Sequence, residues 1–246
     1  MSTDPSSSTA DAAQPARQLR GLAAPPPPTG LSPGSGAVAA PAEAARPDTT
    51  IVDSTGRGGA SVALTFDDGP DPVATPRLLA VLREQHVRAV FSLWGEHVRE
   101  HPELVRAIAA DGHTLCNHTM HHEDMGSWGP ERIRADLART SALIHRAAPA
   151  APIRHFRAPY GSWGSTPEVA VQLGMQPLGW RLAIGDWEPP GTDELVRRLV
   201  EGITPGAVVL MHDGGGDRTQ TVEAVARIIP ELRSKGWHFD TPARHG

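Results

Sequence analysis

The sequence predicts an α/β fold of parallel strands, a distorted (β/α)7-type barrel, running from about Gly58 to the end of the chain. Three observations predict it. From Ser61 onward, short runs rich in branched or aromatic residues alternate with longer segments of helical period. Seven such βα-like steps follow one another, and none opens on a GxGxxG turn, which favours a barrel over a dinucleotide-binding sheet. Helix punctuation falls between them: Pro102, Pro130 and Pro167 sit near expected starts, and Gly112, Gly174 and Gly236 follow expected ends.

In chain order, strands are expected at Val62–Phe66, Ala89–Leu93, His113–Cys116, His155–Arg157, Gln176–Trp180, Ala207–Met211 and Trp237–Asp240. Helical faces are expected at Pro76–Gln85, His101–Ala110, Pro130–Ala147, Pro167–Leu173, Asp193–Gly202 and Thr219–Lys235. Polar residues cluster just past the strand runs. Asp67 and Asp68 follow the first, His118 and His122 the third, Arg157 ends the fourth, Asp186 follows the fifth and His212 the sixth. In a parallel barrel those positions share one rim, where active sites are built.

The 246 residues allow one sizeable core. Residues 1–57, rich in Pro, Ala and Ser, contain almost no large apolar side chain and are expected to form a disordered or extended leader before a domain spanning 58–246. The first residues lack the cationic start and apolar run of a secretory signal, and no membrane span is present. The chain as it stands therefore reads as cytoplasmic; a trimmed or mis-assigned start would make it secreted or wall-associated. A net charge of −5 without a basic run argues against nucleic acid as a partner, and a monomer is expected. The single cysteine, Cys116, excludes an internal disulfide and reads as a small core residue.

The spacing His118-Thr-Met-His-His122 would set two imidazoles one helical turn apart, and a carboxylate from another strand, Asp68, would complete a three-ligand metal site. Such a donor set suits Zn²⁺ or another divalent first-row ion, Co²⁺ included. Bland readings compete. Asp67-Asp68-Gly69-Pro70 is also a good turn sequence. His97 and His101 repeat the same histidine spacing within the charged segment EHVREHPEL and read as a solvated face, as do most of the twelve histidines, His155 among them.

Five segments in order, TFDDGP at 65–70, HTMHH at 118–122, RAPYG at 157–161, GDW at 185–187 and LMHDG at 210–214, resemble the motif set of the NodB-homology polysaccharide deacetylases, carbohydrate esterase family 4. The resemblance spans roughly residues 61–240. It implies a NodB-homology barrel, an acetylated glycan as partner, Asp68, His118 and His122 as metal ligands, and Asp67 as general base. It further implies His212 as general acid supported by Asp186, with Arg157 pairing Asp67 and the Tyr160 backbone N–H in the oxyanion hole. Pro159, Trp187 and Leu210 would contact substrate, the last two lining a pocket for the acetyl methyl group. One departure is Ala183, where relatives often carry a further aspartate.

The leading expectation is N-deacetylation of a GlcNAc-containing glycan such as peptidoglycan, chitin or a chitooligosaccharide. Alternatives are O-deacetylation of acetylxylan, a small-molecule deacetylase, and a non-catalytic glycan-binding module.

Overall fold

The structure is a computed structural model and describes residues 47–244. Most of the expected leader lies outside the described residues. Its elements are β1 (Ser61–Asp67), α1 (Ala74–Glu84), β2 (Val90–Leu93), α2 (Gly95–Glu100), α3 (Pro102–Ala110), β3 (Thr114–Asn117), α4 (Pro130–Ala147), β4 (Ile153–Phe156), α5 (Thr166–Gln172), β5 (Gln176–Pro177), β6 (Leu182–Ala183), α6 (Thr192–Gly202), β7 (Ala207–His212), α7 (Thr219–Ser234) and β8 (His238–Phe239). Seven strands pair in the order β5-β4-β3-β2-β1-β7-β6, all parallel, and curl into a half-barrel, while β8 pairs with the start of β1 off that path.

β1 is buried along its whole length because β2 and β7 flank it and both its faces are covered. Alternation sends Val62, Leu64 and Phe66 into the large core packed by the helices. Ala63 turns the other way, into a smaller apolar cluster with Val90, Cys116, Leu178 and Val208. The same period of two places Asp67 on the Ala63 side of β1, and Leu210 and His212 on the Val208 side of β7. The helices close the outer layer with apolar stripes such as Ile133, Leu137 and Ile144 of α4, or Val222, Val225, Ile229 and Leu232 of α7. Cys116 lies in the inner cluster, where burial pushes its thiol up to about 12.

The structure revises four expectations. The run 176–180 does not stay one strand: β5 stops at Pro177, Leu178 and Gly179 continue it only by bridging to Phe156 and Val52, and the chain crosses to the far edge. There the short β6 pairs with β7, and Asp186 follows this strand and not the one expected. Pairing begins before the expected domain start near Gly58, since Val52 bridges Leu178, Ser54 bridges Ala207 and Thr55 bridges Pro242. That segment spans from the β5 edge to the foot of β7. Finally, α2 forms where a solvated charged stretch was expected, and His101 separates it from α3.

Candidate metal and acid-base site

Asp68, His118 and His122 offer ligand atoms that all lie within 4.8 Å of one another. The Nε2 atoms of His118 and His122 stand 3.4 and 3.3 Å from Asp68 Oδ1. That oxygen is buried and accepts no hydrogen bond, so three lone-pair donors converge on one point. His118 Nδ1 lies 2.8 Å from the Arg157 carbonyl and His122 Nδ1 3.2 Å from the Tyr160 hydroxyl. An Nδ1–H donated to the carbonyl leaves Nε2 of His118 as the free lone pair, the arrangement typical of metal-binding imidazoles. The residues therefore fit a divalent cation.

Electrostatics agrees with the geometry. Burial alone would raise the Asp68 carboxyl, but contact with His118 and the charges of His212 and His122 hold it well below the usual carboxylate range. His118 is opposed by burial too, yet the carboxylates of Asp67 and Asp68 raise it. His122 goes the other way, down to about 4, because burial and then the neighbouring His118 charge disfavour a second proton. A cation at this point would compete with protons for the same lone pairs.

The two histidines do not share a helix, as the spacing had suggested. His118 follows β3 and His122 ends an irregular loop in which Thr119 and His122 take left-handed φ values of 66° and 54°. Asp68 and Tyr160, at 70° and 59°, do the same, so four of the five non-glycine residues with positive φ among the described residues belong to this site. Hydrogen bonds fix the loop. Thr119 N–H donates to Asn117 Oδ1 at 2.9 Å, His122 N–H to Thr119 Oγ1 at 3.0 Å, and Met120 N–H to Asp136 Oδ1 at 2.9 Å.

On one flank, Arg157 is fully buried and donates from Nη1 to Asp67 Oδ1 at 2.7 Å. Its other donors reach Thr65 Oγ1 and the carbonyls of Leu178 and Gly179. On the other flank, Asp186 accepts from His212 Nδ1 at 2.8 Å through Oδ1, and from the His212 backbone and Thr221 Oγ1 through Oδ2. Burial disfavours charge on His212, but the Asp186 carboxylate outweighs it and pushes the imidazole up to about 9. Asp67 and His212 are partners in the β1–β7 register, so the two groups stand side by side on adjacent strands. Trp187 meets His212 edge-on at 5.5 Å between ring centres, Leu210 is buried in β7, and Pro159 is buried in the 3-10 turn Pro159–Gly161.

Several residues that position these groups were missed. His97 was assigned to a solvated face; it is half-buried, and its Nδ1 lies 2.7 Å from the Asp68 carbonyl. Trp94 stacks between His97 and His122, with ring centres 4.5 and 5.2 Å away. The start of α2 also donates from Trp94 N–H to the Gly69 carbonyl, from Gly95 N–H to that of Thr119 and from Glu96 N–H to that of Met120. One short helix therefore holds both ligand-bearing segments. Arg218, buried without a carboxylate partner, donates to the carbonyls of Gly214, Gly215 and Asp186, tying the loop after β7 to the support of His212. Asp213, fully buried against Thr75, is pushed up to about 7 by burial. His155, expected at a solvated face, is instead buried, and burial holds it neutral at about 3.

Comparison with known proteins identifies the family. The family model for polysaccharide deacetylases matches residues 55–178. A chitooligosaccharide deacetylase of Sinorhizobium fredii is 37% identical over 197 residues, covering 76% of this chain and 92% of that protein. A peptidoglycan-N-acetylglucosamine deacetylase of Bacillus cereus is 36% identical over 183 residues, covering 73% and 85%. Among solved structures, a peptidoglycan N-acetylglucosamine deacetylase in complex with 4-naphthalen-1-yl-N-oxidanyl-benzamide superposes with a TM-score of 0.72 at 32% identity, over 78% of this chain and 89% of that one. The chain belongs to the polysaccharide deacetylase family.

Proposed function

We propose that the protein hydrolyses the N-acetyl groups of a GlcNAc-containing glycan, of the chitooligosaccharide or peptidoglycan kind on which its relatives act. The observation that carries this reading is the pairing of two differently supported groups around the Asp68, His118 and His122 trio: Asp67 held by Arg157, and His212 held by Asp186. A divalent ion bound by the trio, with Zn²⁺ the natural choice for this donor set, would polarise the acetyl carbonyl and acidify a water.

Asp67 accepts the proton of the attacking water as its oxygen bonds to the carbonyl carbon. Arg157, with no exposed surface, pairs with that carboxylate and fixes its orientation. The backbone N–H of Tyr160 is assigned to the developing oxyanion. When the carbon–nitrogen bond breaks, His212 delivers its proton to the departing nitrogen, releasing acetate and a free amine. Trp187 and Leu210 are assigned to the acetyl methyl group, and Pro159 to the substrate-facing turn.

The test is acetate release from chitooligosaccharide, peptidoglycan and acetylxylan. Chelator should abolish it and added divalent metal restore it, and Asp67→Asn should lower turnover about 10²- to 10⁴-fold while leaving the fold intact. Full turnover by Asp67→Asn would remove the base. Faster release from acetylxylan than from chitooligosaccharide would move the reading to ester hydrolysis, and glycan binding without acetate release in metal-replete protein would move it to a binding module.

A further inference from the structure

At the opposite end of the strands from the metal trio, a cleft of about 660 Å³ opens between the N-terminal ends of β2, β3 and β4, the end of α3 and the loop after α4. Arg88, Arg106 and Arg154 line it together with His113, and none of its lining residues is acidic. All three arginines are exposed, and among the described residues none of them has an ion-pair or hydrogen-bond partner. Asp111, just outside, is already engaged by Arg83 at 2.6 Å. The Arg88 guanidinium lies over Gly112, where a side chain would meet it at 3.3 Å, so the turn before β3 keeps this space clear.

Three unneutralised guanidinium groups around one concavity repel one another. A bound anion relieves that repulsion. Three arginines lining one cleft, from the turn before β2, from α3 and from β4, suit a tetrahedral group with several oxygens better than a single carboxylate, which one arginine can saturate. The volume exceeds what an inorganic ion fills and falls in the range of small-molecule sites.

We propose that this cleft is a binding site for a phosphate monoester or phosphodiester on a sugar- or polyol-sized ligand. The site is separate from the acid-base centre: β3 alone puts four residues, on the order of 13 Å of strand, between its foot at Thr114 and the start of the ligand loop. Its occupancy does not depend on the deacetylase reading.

Calorimetric titration of the metal-loaded full chain with inorganic phosphate, glycerol phosphate and a glycerol-phosphate oligomer tests it, with acetate at matched ionic strength as control. Glycerol phosphate should bind, and the triple variant Arg88→Ala/Arg106→Ala/Arg154→Ala should weaken it at least about tenfold. Acetate release from a short chitooligosaccharide should stay unchanged. Single variants R88Q, R106Q and R154Q, which keep a polar stem, should each weaken binding by about threefold, so a misfolded triple variant would not decide the matter. Tighter binding of the oligomer assigns the ligand to a polymer, and equal affinities assign it to a small phosphate ester. Phosphate-ester affinity unaltered by the triple and single variants, or no stronger than that for acetate, overturns the proposal.

Discussion

His212 shows how one neighbour sets a residue's chemistry. Its ring is buried, which would favour the neutral form, but Asp186 holds it up to about 9. It therefore carries its proton through neutral pH and loses it as the pH rises through that value. Asp186→Asn removes the counter-charge, and the alkaline limb of the kcat/KM profile should move to lower pH by about one to two units. An unmoved limb would mean that another group titrates there. Because the folded value lies above the ordinary 6.5, the same pair contributes stability below about pH 6.5 that fades as the pH rises through about 9. The residue types at the site were legible from the sequence because each lies at or just past a strand end, where period-two alternation and a shared rim leave little freedom. His97, Arg218 and Asp213 were not legible. They act through contacts with backbone carbonyls or buried polar neighbours, and such contacts leave no spacing in the sequence.

Among the elements, α2 carries the most consequence for its length. Its six residues and the preceding Trp94 supply three backbone donors to the two ligand segments and place His97 under Asp68. His97→Ala should weaken divalent-metal affinity by about 10- to 100-fold, as other supports of metal ligands do, with thermal stability nearly unchanged. His97→Gln, which can still donate to the Asp68 carbonyl, should recover part of the loss. Equal affinity in all three proteins would reduce His97 to a packing residue. α2 escaped sequence reading because GEHVRE has too few apolar positions to show a helical face, burying only Gly95 and Val98. The long helices were readable to within a few residues, since 18 residues of α4 repeat an apolar stripe that six cannot. The loop from His118 to His122 misled for the opposite reason: its spacing fits a helix, but positive φ at Thr119 and His122 breaks one.

At the scale of the whole molecule, the parallel order and the rim were predictable, but the ends of the sheet were not. The segment from Val52 to Thr55 runs across the space between β5 and β7, with Val52 only 1% exposed and hydrogen bonds from 2.7 to 3.0 Å linking it to Pro177, Gly179, Gly206 and Val208. Its composition is that of the leader, so no pattern set it apart. Burial of one valine and loss of four hydrogen bonds amount to about 3–6 kcal/mol. A chain beginning at Gly58 should thus melt roughly 10 °C below one beginning at Pro47, and equal melting temperatures would make the segment a passenger. A final consequence lies in the β1–β7 ladder, where six consecutive pairs end on Asp67 opposite His212. Sliding β7 by one position would bring Met211 inward, turn the imidazole out and carry Val209 away from the helices. Frame errors in this ladder thus fail a chemical and a solubility criterion together. Partly inactive yet well-behaved protein is not an expected product of mispairing here.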